Sequence, residues 1–118
     1  MEPLFHLTTP ACWDEALANG TFPWSTRGLR FEEAGFVHCS TWSQVERVAS
    51  TVCPGEMTLS LLVIDPESVG AEVCYENLDG GGELYPHIYG PLPLESVVRV
   101  MTLHANTAGR IWLPAPGR

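Results

Sequence analysis

The chain contains no lysine. Its six cations are all arginine, against 14 aspartates and glutamates, and the net charge is -8 over 118 residues. Phosphate contacts dominate nucleic-acid affinity and need many cations, so broad nucleic-acid binding is not expected; a local site around Arg27 and Arg30 is the most that this class allows. Cys12, Cys39, Cys53 and Cys74 form no Cys-x-x-Cys pair, which argues against a zinc ribbon or a thioredoxin-type centre. No basic segment leading into an apolar one opens the chain, so reduced thiols and a cytoplasmic location are expected. No apolar run approaches the roughly 18 residues of a membrane span. Internal repeats and linkers are also lacking. What is present is a hydrophobic share of 45%, enough for one folded domain over residues 1–118.

Leu4 to Thr8 reads as a short strand. Thr9-Pro10 then marks a helix start, threonine as N-cap and proline at the first helical position, and Gly20 is placed to end the helix. Cys12, Trp13, Ala16 and Leu17 form its expected apolar stripe. Residues 21 to 34 show no clean period and read as a loop with at most one helical turn. Gly35-Phe36-Val37-His38-Cys39-Ser40-Thr41 follows, with an imidazole, a thiol and two hydroxyls on consecutive positions. If this segment is extended, Phe36 and His38 share one face and Val37 and Cys39 the other. Thr41 and Gln44 fit a capping box, and Trp42, Val45, Val48, Ala49 and Val52 give the next helix its spacing before Pro54-Gly55 stops it.

Met57 to Ile64 is the most apolar run and reads as a central strand, ended by Asp65-Pro66. Glu72 to Glu76 alternates as a half-buried strand, and Asp79 to Gly82 is a flexible tip. Tyr85 to Gly90 is short and aromatic. Pro91 and Pro93 favour an extended or edge path beyond it. One helical turn over Leu94 to Val97 and a last strand over Val98 to Leu103 follow, with Ile111, Trp112 and Leu113 ordering part of the tail. Strands and helices do not alternate regularly, so the expected class is α+β with mainly antiparallel pairing, not a doubly wound parallel sheet.

Three chemistries fit the polar residues. Thiol catalysis would pair Cys39 with His38, but neighbours on a strand face opposite ways. A metal-dependent hydrolase could draw three imidazoles, His6, His38 and His87, from three strands. A cleft for a small polar or nucleotide-like ligand could use the same histidines with Ser40, and Tyr85 and Tyr89 as aromatic faces; neutral imidazole offers one donor and one acceptor. Glu76 or Glu72 would then take a proton or stabilise a developing cation. The plain alternative is packing for the tyrosines and a solvated strand face for the acids.

Phe5-His6-Leu7-Thr8, Trp13, Gly35 to Thr41 with Gln44, Leu62 to Pro66, Glu76 and Pro86-His87-Ile88-Tyr89-Gly90-Pro91-Leu92 together resemble DUF952, a small bacterial family of unknown function. A more distant likeness is to RNA 2′-phosphotransferases, NAD-using enzymes of the ADP-ribosyltransferase fold. They carry an aromatic-His-Gly-Thr first strand and a later His-apolar-Ser strand, which His6 and His38-Cys39-Ser40 resemble in order and separation. Leu7 stands at the glycine of that pattern, and transfer of an RNA 2′-phosphate is not expected. That likeness implies two small, mainly antiparallel sheets, two short helices and NAD in the cleft between the sheets. It implies that His6 holds the nicotinamide-side ribose or amide and that His38 and Ser40 line the same cleft. Together with the residues' own chemistry, the expected cofactor-binding residues are His6, Thr8, Ser40 and Tyr89 and the expected catalytic ones His38, Glu76 and His87, with Glu76 and His87 both open as the third catalytic position. The expected activity is transfer or hydrolysis of ADP-ribose without a metal; a non-catalytic ligand-binding module is the competing class.

Overall fold

The computed structural model describes residues 2–23, 31–52, 55, 57–77, 82–107 and 110–111. Arg27, Arg30, Cys53, Trp112, Leu113 and most of the Asp79 to Gly82 tip lie outside these residues. Among the described residues the architecture is α+β, with two antiparallel three-stranded sheets. Strand β1 is Leu4–Thr8, β3 is Met57–Ile64 and β6 is Val97–Ala105, and they make the larger sheet in the order β1-β3-β6. Strand β2 is Val37–His38, β4 is Val73–Glu76 and β5 is Tyr85–Ile88, in the order β2-β5-β4.

The apolar run of β3 is explained by its central place. Leu62 and Ile64 enter one core with Leu4, Val37, Cys39 and Ile88, whereas Leu59 and Leu61 enter a second with Phe5, Val45 and Ala49. A strand covered on both faces has little need of polar positions, so its sequence is mostly hydrophobic, interrupted by Thr58 and Ser60. The first core joins the larger sheet to the smaller one and to helix α1, Pro10–Asn19. The second lies under helix α3, Trp42–Val52, which also places Trp42 against Phe5 with ring centroids 5.1 Å apart.

Local signals set the helix ends. The Cys12 N–H donates to Thr9 Oγ1 at 3.2 Å, and the Gly20 N–H donates to the Ala16 carbonyl at 2.8 Å from a left-handed backbone with φ of 80°. Leu17 departs from the expected stripe, being 57% exposed. It lies about 100° round the helix from Ala16, the fully buried position, and so past the edge of the contact. At α3 only one arm of the expected capping box forms: the Thr41 N–H donates to Gln44 Oε1 at 3.0 Å, while Thr41 Oγ1 meets Ser43 Oγ. Residues Phe31–Ala34 make the short helix α2.

Strand β5 occupies the centre of the smaller sheet although it contains Pro86. The Pro86 carbonyl accepts from the Cys39 N–H at 2.9 Å, but proline has no N–H for the return bond, and the β2–β5 ladder ends there after two residue pairs. The chain then changes sheets. Phe5 and Ser40 exchange both backbone bonds, at 2.9 and 2.7 Å, which ties the edge of the larger sheet to the segment leaving β2. Among the described residues no helix is long and apolar enough to cross a membrane.

Candidate functional site

Alternation along β2 and β5 decides where the chemistry collects. Val37 and Ile88 pair with each other and point into the core, so their neighbours His38 and His87, also paired, point to the opposite face. The His38 and His87 rings lie 5.2 Å apart. Tyr85, two residues before His87, packs its ring 5.3 Å from His38. Phe36 covers His87 at 4.5 Å and reaches Tyr89 at 5.7 Å. His87 is therefore only 3% exposed, whereas Tyr89 stays open at 39%.

Glu76 completes this face from the end of β4. Its Oε1 accepts from His87 Nδ1 at 2.9 Å and from the Tyr89 hydroxyl, while no described residue hydrogen-bonds Oε2. The Tyr89 and His87 bonds hold the Glu76 carboxyl below the usual carboxylate range, and the bond from Glu76 pushes the Tyr89 phenol up to about 12. Donation from Nδ1 to the carboxylate fixes the orientation of the His87 ring. The Glu76 side chain is 32% exposed. It is an ionised carboxylate with one oxygen tied down, the other untied, and aromatic walls beside it.

Of the residues singled out in the sequence, the fold brings together His38, Glu76, His87 and Tyr89. His6, Thr8 and Ser40 are placed elsewhere. His6 is 1% exposed and donates from Nδ1 to the His38 carbonyl at 2.6 Å, while its ring meets the Phe22 ring edge-on at 5.4 Å. It thus touches the backbone of His38, and among the described residues its ring has no contact with the rings of His38 or His87. Thr8 ends β1 opposite Ser60, and Ser40 is buried at the sheet junction. Leu7 turns to the core under α3, away from His6. The space between the sheets, expected to be the cleft, is filled by Leu4, Val37, Leu62, Ile64 and Ile88.

The other chemistries fare differently in this geometry. Among the described residues no group of three His, Cys, Asp or Glu is placed to hold a metal. Cys39 is wholly buried beside Val37 and burial pushes its thiol far up, so no thiolate stands next to His38. Cys74 is opposite His87, and its thiol is also raised, by desolvation and then by Glu72 and Glu76. Sequence reasoning missed the support of β5 from α3. Gln44 Nε2 donates to the Leu84 carbonyl at 2.8 Å and to Glu83 Oε1 at 3.1 Å, and Arg47 pairs with the same Glu83. The capping pattern drew attention to Gln44 Oε1 only; its amide nitrogen reaches about forty residues ahead.

The family model described as protein of unknown function DUF952 matches residues 7–100. The chain belongs to the DUF952 family. Two crystal structures of protein CC0527 from Caulobacter crescentus, one of them of a double mutant, are similar to it at 30% identity over 94% of each chain, with a TM-score of 0.79. The solution structure of CC0527 aligns at 29% identity over 93% of this chain and 91% of that one, with a TM-score of 0.72. No curated protein matches the chain. The family description carries no activity, so the reading of this DUF952 chain rests on its own side chains.

Proposed function

We propose that this DUF952 domain binds a small nucleotide-like ligand of the NAD or ADP-ribose class on the face of Phe36, His38, Tyr85, Tyr89 and Glu76, and that it transfers or hydrolyses ADP-ribose. The carrying observation is Glu76, whose Oε1 accepts from both His87 and Tyr89 while Oε2 takes no hydrogen bond from a described residue. When the bond from ribose to nicotinamide breaks, its electron pair leaves with nicotinamide and positive charge grows on the ribose carbon. A carboxylate kept ionised by its neighbours favours that charge without first losing a proton. The same group is suited to accept the proton of water or of an acceptor hydroxyl attacking that carbon. The aromatic rings of Phe36, Tyr85 and Tyr89 supply surfaces for stacking a planar base, which supports the ligand class.

His87 is a positioning residue in this reading, because it is buried and acts through Glu76. His6 holds the His38 backbone. Calorimetric titration of NAD and of ADP-ribose into the wild type, His38→Ala and Glu76→Gln, together with an assay for nicotinamide release, tests the proposal. Saturable binding lost in His38→Ala, with nicotinamide release abolished in Glu76→Gln while that variant still binds, is the expected result. Binding without release in the wild type would leave the non-catalytic module, and no binding to either compound would remove the NAD reading.

A further inference from the structure

A groove of about 660 Å³ shares no lining residue with the His38 face. It runs between α3, which contributes Ser43, Arg47 and Ser50, and the end of β6 with the turn after it, which contributes His104, Asn106 and Arg110. Small-molecule sites occupy roughly 300–1,000 Å³, so the space suits one compact ligand. The chain owns only six cations against 14 acids, yet two of the six line this single groove.

The turn that presents Arg110 is built. The Asn106 N–H donates to the Arg110 carbonyl at 2.8 Å, the Arg110 N–H donates back to Asn106 Oδ1 at 3.0 Å, and the next residue, Ile111, is buried and bridges to Ala105. The Arg110 guanidinium bonds no described residue. Arg47 is engaged by Glu83, and Glu46 also lines the groove. A monocarboxylate entering here would merely replace one carboxylate by another on Arg47, and Glu46 opposes any anion, a phosphate more than a monocarboxylate, so the preference must come from the number of acceptor oxygens. A phosphate group carries about 1.5 to 2 negative charges near neutral pH and three strong acceptor oxygens, which suits two guanidinium forks and the Ser43 hydroxyl; the Ser50 hydroxyl is already donated to the Arg47 carbonyl at 2.8 Å.

We propose that this groove is a second ligand site, taking a small phosphate-bearing anion between Arg47 and Arg110. The inference does not rest on the NAD reading of the His38 face. It adds a link to that face, since Glu83 is shared by Arg47 and Gln44, and Gln44 also holds the Leu84 carbonyl next to Tyr85. An anion that draws Arg47 off Glu83 thus acts on the entry to β5.

The test is a heteronuclear NMR titration with inorganic phosphate, ribose 5-phosphate and acetate as probes, on the wild type, Arg110→Ala and Arg99→Ala. Arg99 lies on β6 outside the groove and serves as the control. Saturable shifts at Ser43, Arg47 and Arg110 are expected with both phosphates, weakened at least tenfold in Arg110→Ala and retained in Arg99→Ala. Tighter binding of ribose 5-phosphate would assign the site to an organic phosphate, and equal binding to the free ion. Shifts that fail to saturate, that survive unchanged in Arg110→Ala, or that acetate reproduces at equal concentration would overturn the proposal.

Discussion

The two sheets divide the work of the molecule. The larger has strands of five, eight and nine residues, and its central strand supplies two apolar cores. The smaller has strands of two, four and four residues, one apolar face, and an opposite face of imidazoles, phenols and a carboxylate. Burial on both faces fixes register in the first, because a one-residue slip would exchange the two cores. In the second, register is held by side-chain bonds, by the exchange between Phe5 and Ser40, and by the proline that stops one ladder. Apolar burial is greatest where the sequence is most hydrophobic, and the polar side chains gather where the ladder is shortest.

If that division is right, truncation in the larger sheet costs most. Leu62→Ala removes a fully buried side chain between the sheets and is expected to destabilise the protein by about 2–5 kcal/mol in urea denaturation. Tyr85→Ala, on the polar face, should cost clearly less under the same conditions. Equal losses would show that the smaller sheet is as much a part of the scaffold as the larger.

Just beyond the smaller sheet, Gly90 is sterically strict. A Cβ added at Gly90 would lie 2.6 Å from the Ala71 Cβ, so the segment after β5 passes too close to the segment before β4 for any side chain. Gly90→Ala should cost about 1–3 kcal/mol by overpacking, and the double variant with Ala71→Gly should recover most of it. A double variant no more stable than the single one would place the strain elsewhere. Gln44→Ala comes next, at about 1–2 kcal/mol by chemical denaturation, because it removes a bond to the Thr41 N–H and two to the Glu83–Leu84 segment. An effect within error of zero would mean that α3 does not support the entry to β5.

The larger sheet was the more legible in the sequence. Met57 to Ile64 announced itself as a central strand by being the most apolar run in the chain, and Thr9, Pro10 and Gly20 marked the ends of α1 through local geometry alone. The smaller sheet was read as segments without partners. Face alternation placed Phe36 with His38 and against Val37, yet nothing in the spacing could reveal that His38 pairs with His87 across β2 and β5, or that Glu76 would sit at the edge to meet both His87 and Tyr89. His6 shows the limit most clearly. Its motif resembles that of His38, but its partner is a backbone carbonyl 32 residues away, and long-range pairing of that kind leaves no periodic trace.

The finest comparison is electrostatic and confined to the smaller sheet. Glu76 has its carboxyl lowered by Tyr89 and His87, so the fold favours the carboxylate; the resulting stabilisation is present above the ordinary carboxyl pKa and is lost as pH falls through the lowered folded value. Tyr89 is displaced the other way, from 10.0 to about 12, so the fold favours the neutral phenol; that contribution is present below pH 10 and is lost as pH rises through about 12. Both groups face solvent, so each effect is small beside the core truncations. Melting temperature measured against pH for the wild type and Glu76→Gln should differ most near neutrality and converge at both extremes. Spectrophotometric titration of Tyr89, isolated by the difference from Tyr89→Phe, should move back toward 10 in Glu76→Gln. A Tyr89 that titrates the same way in both proteins would break the pairing on which the proposed site depends, while leaving the larger sheet untouched.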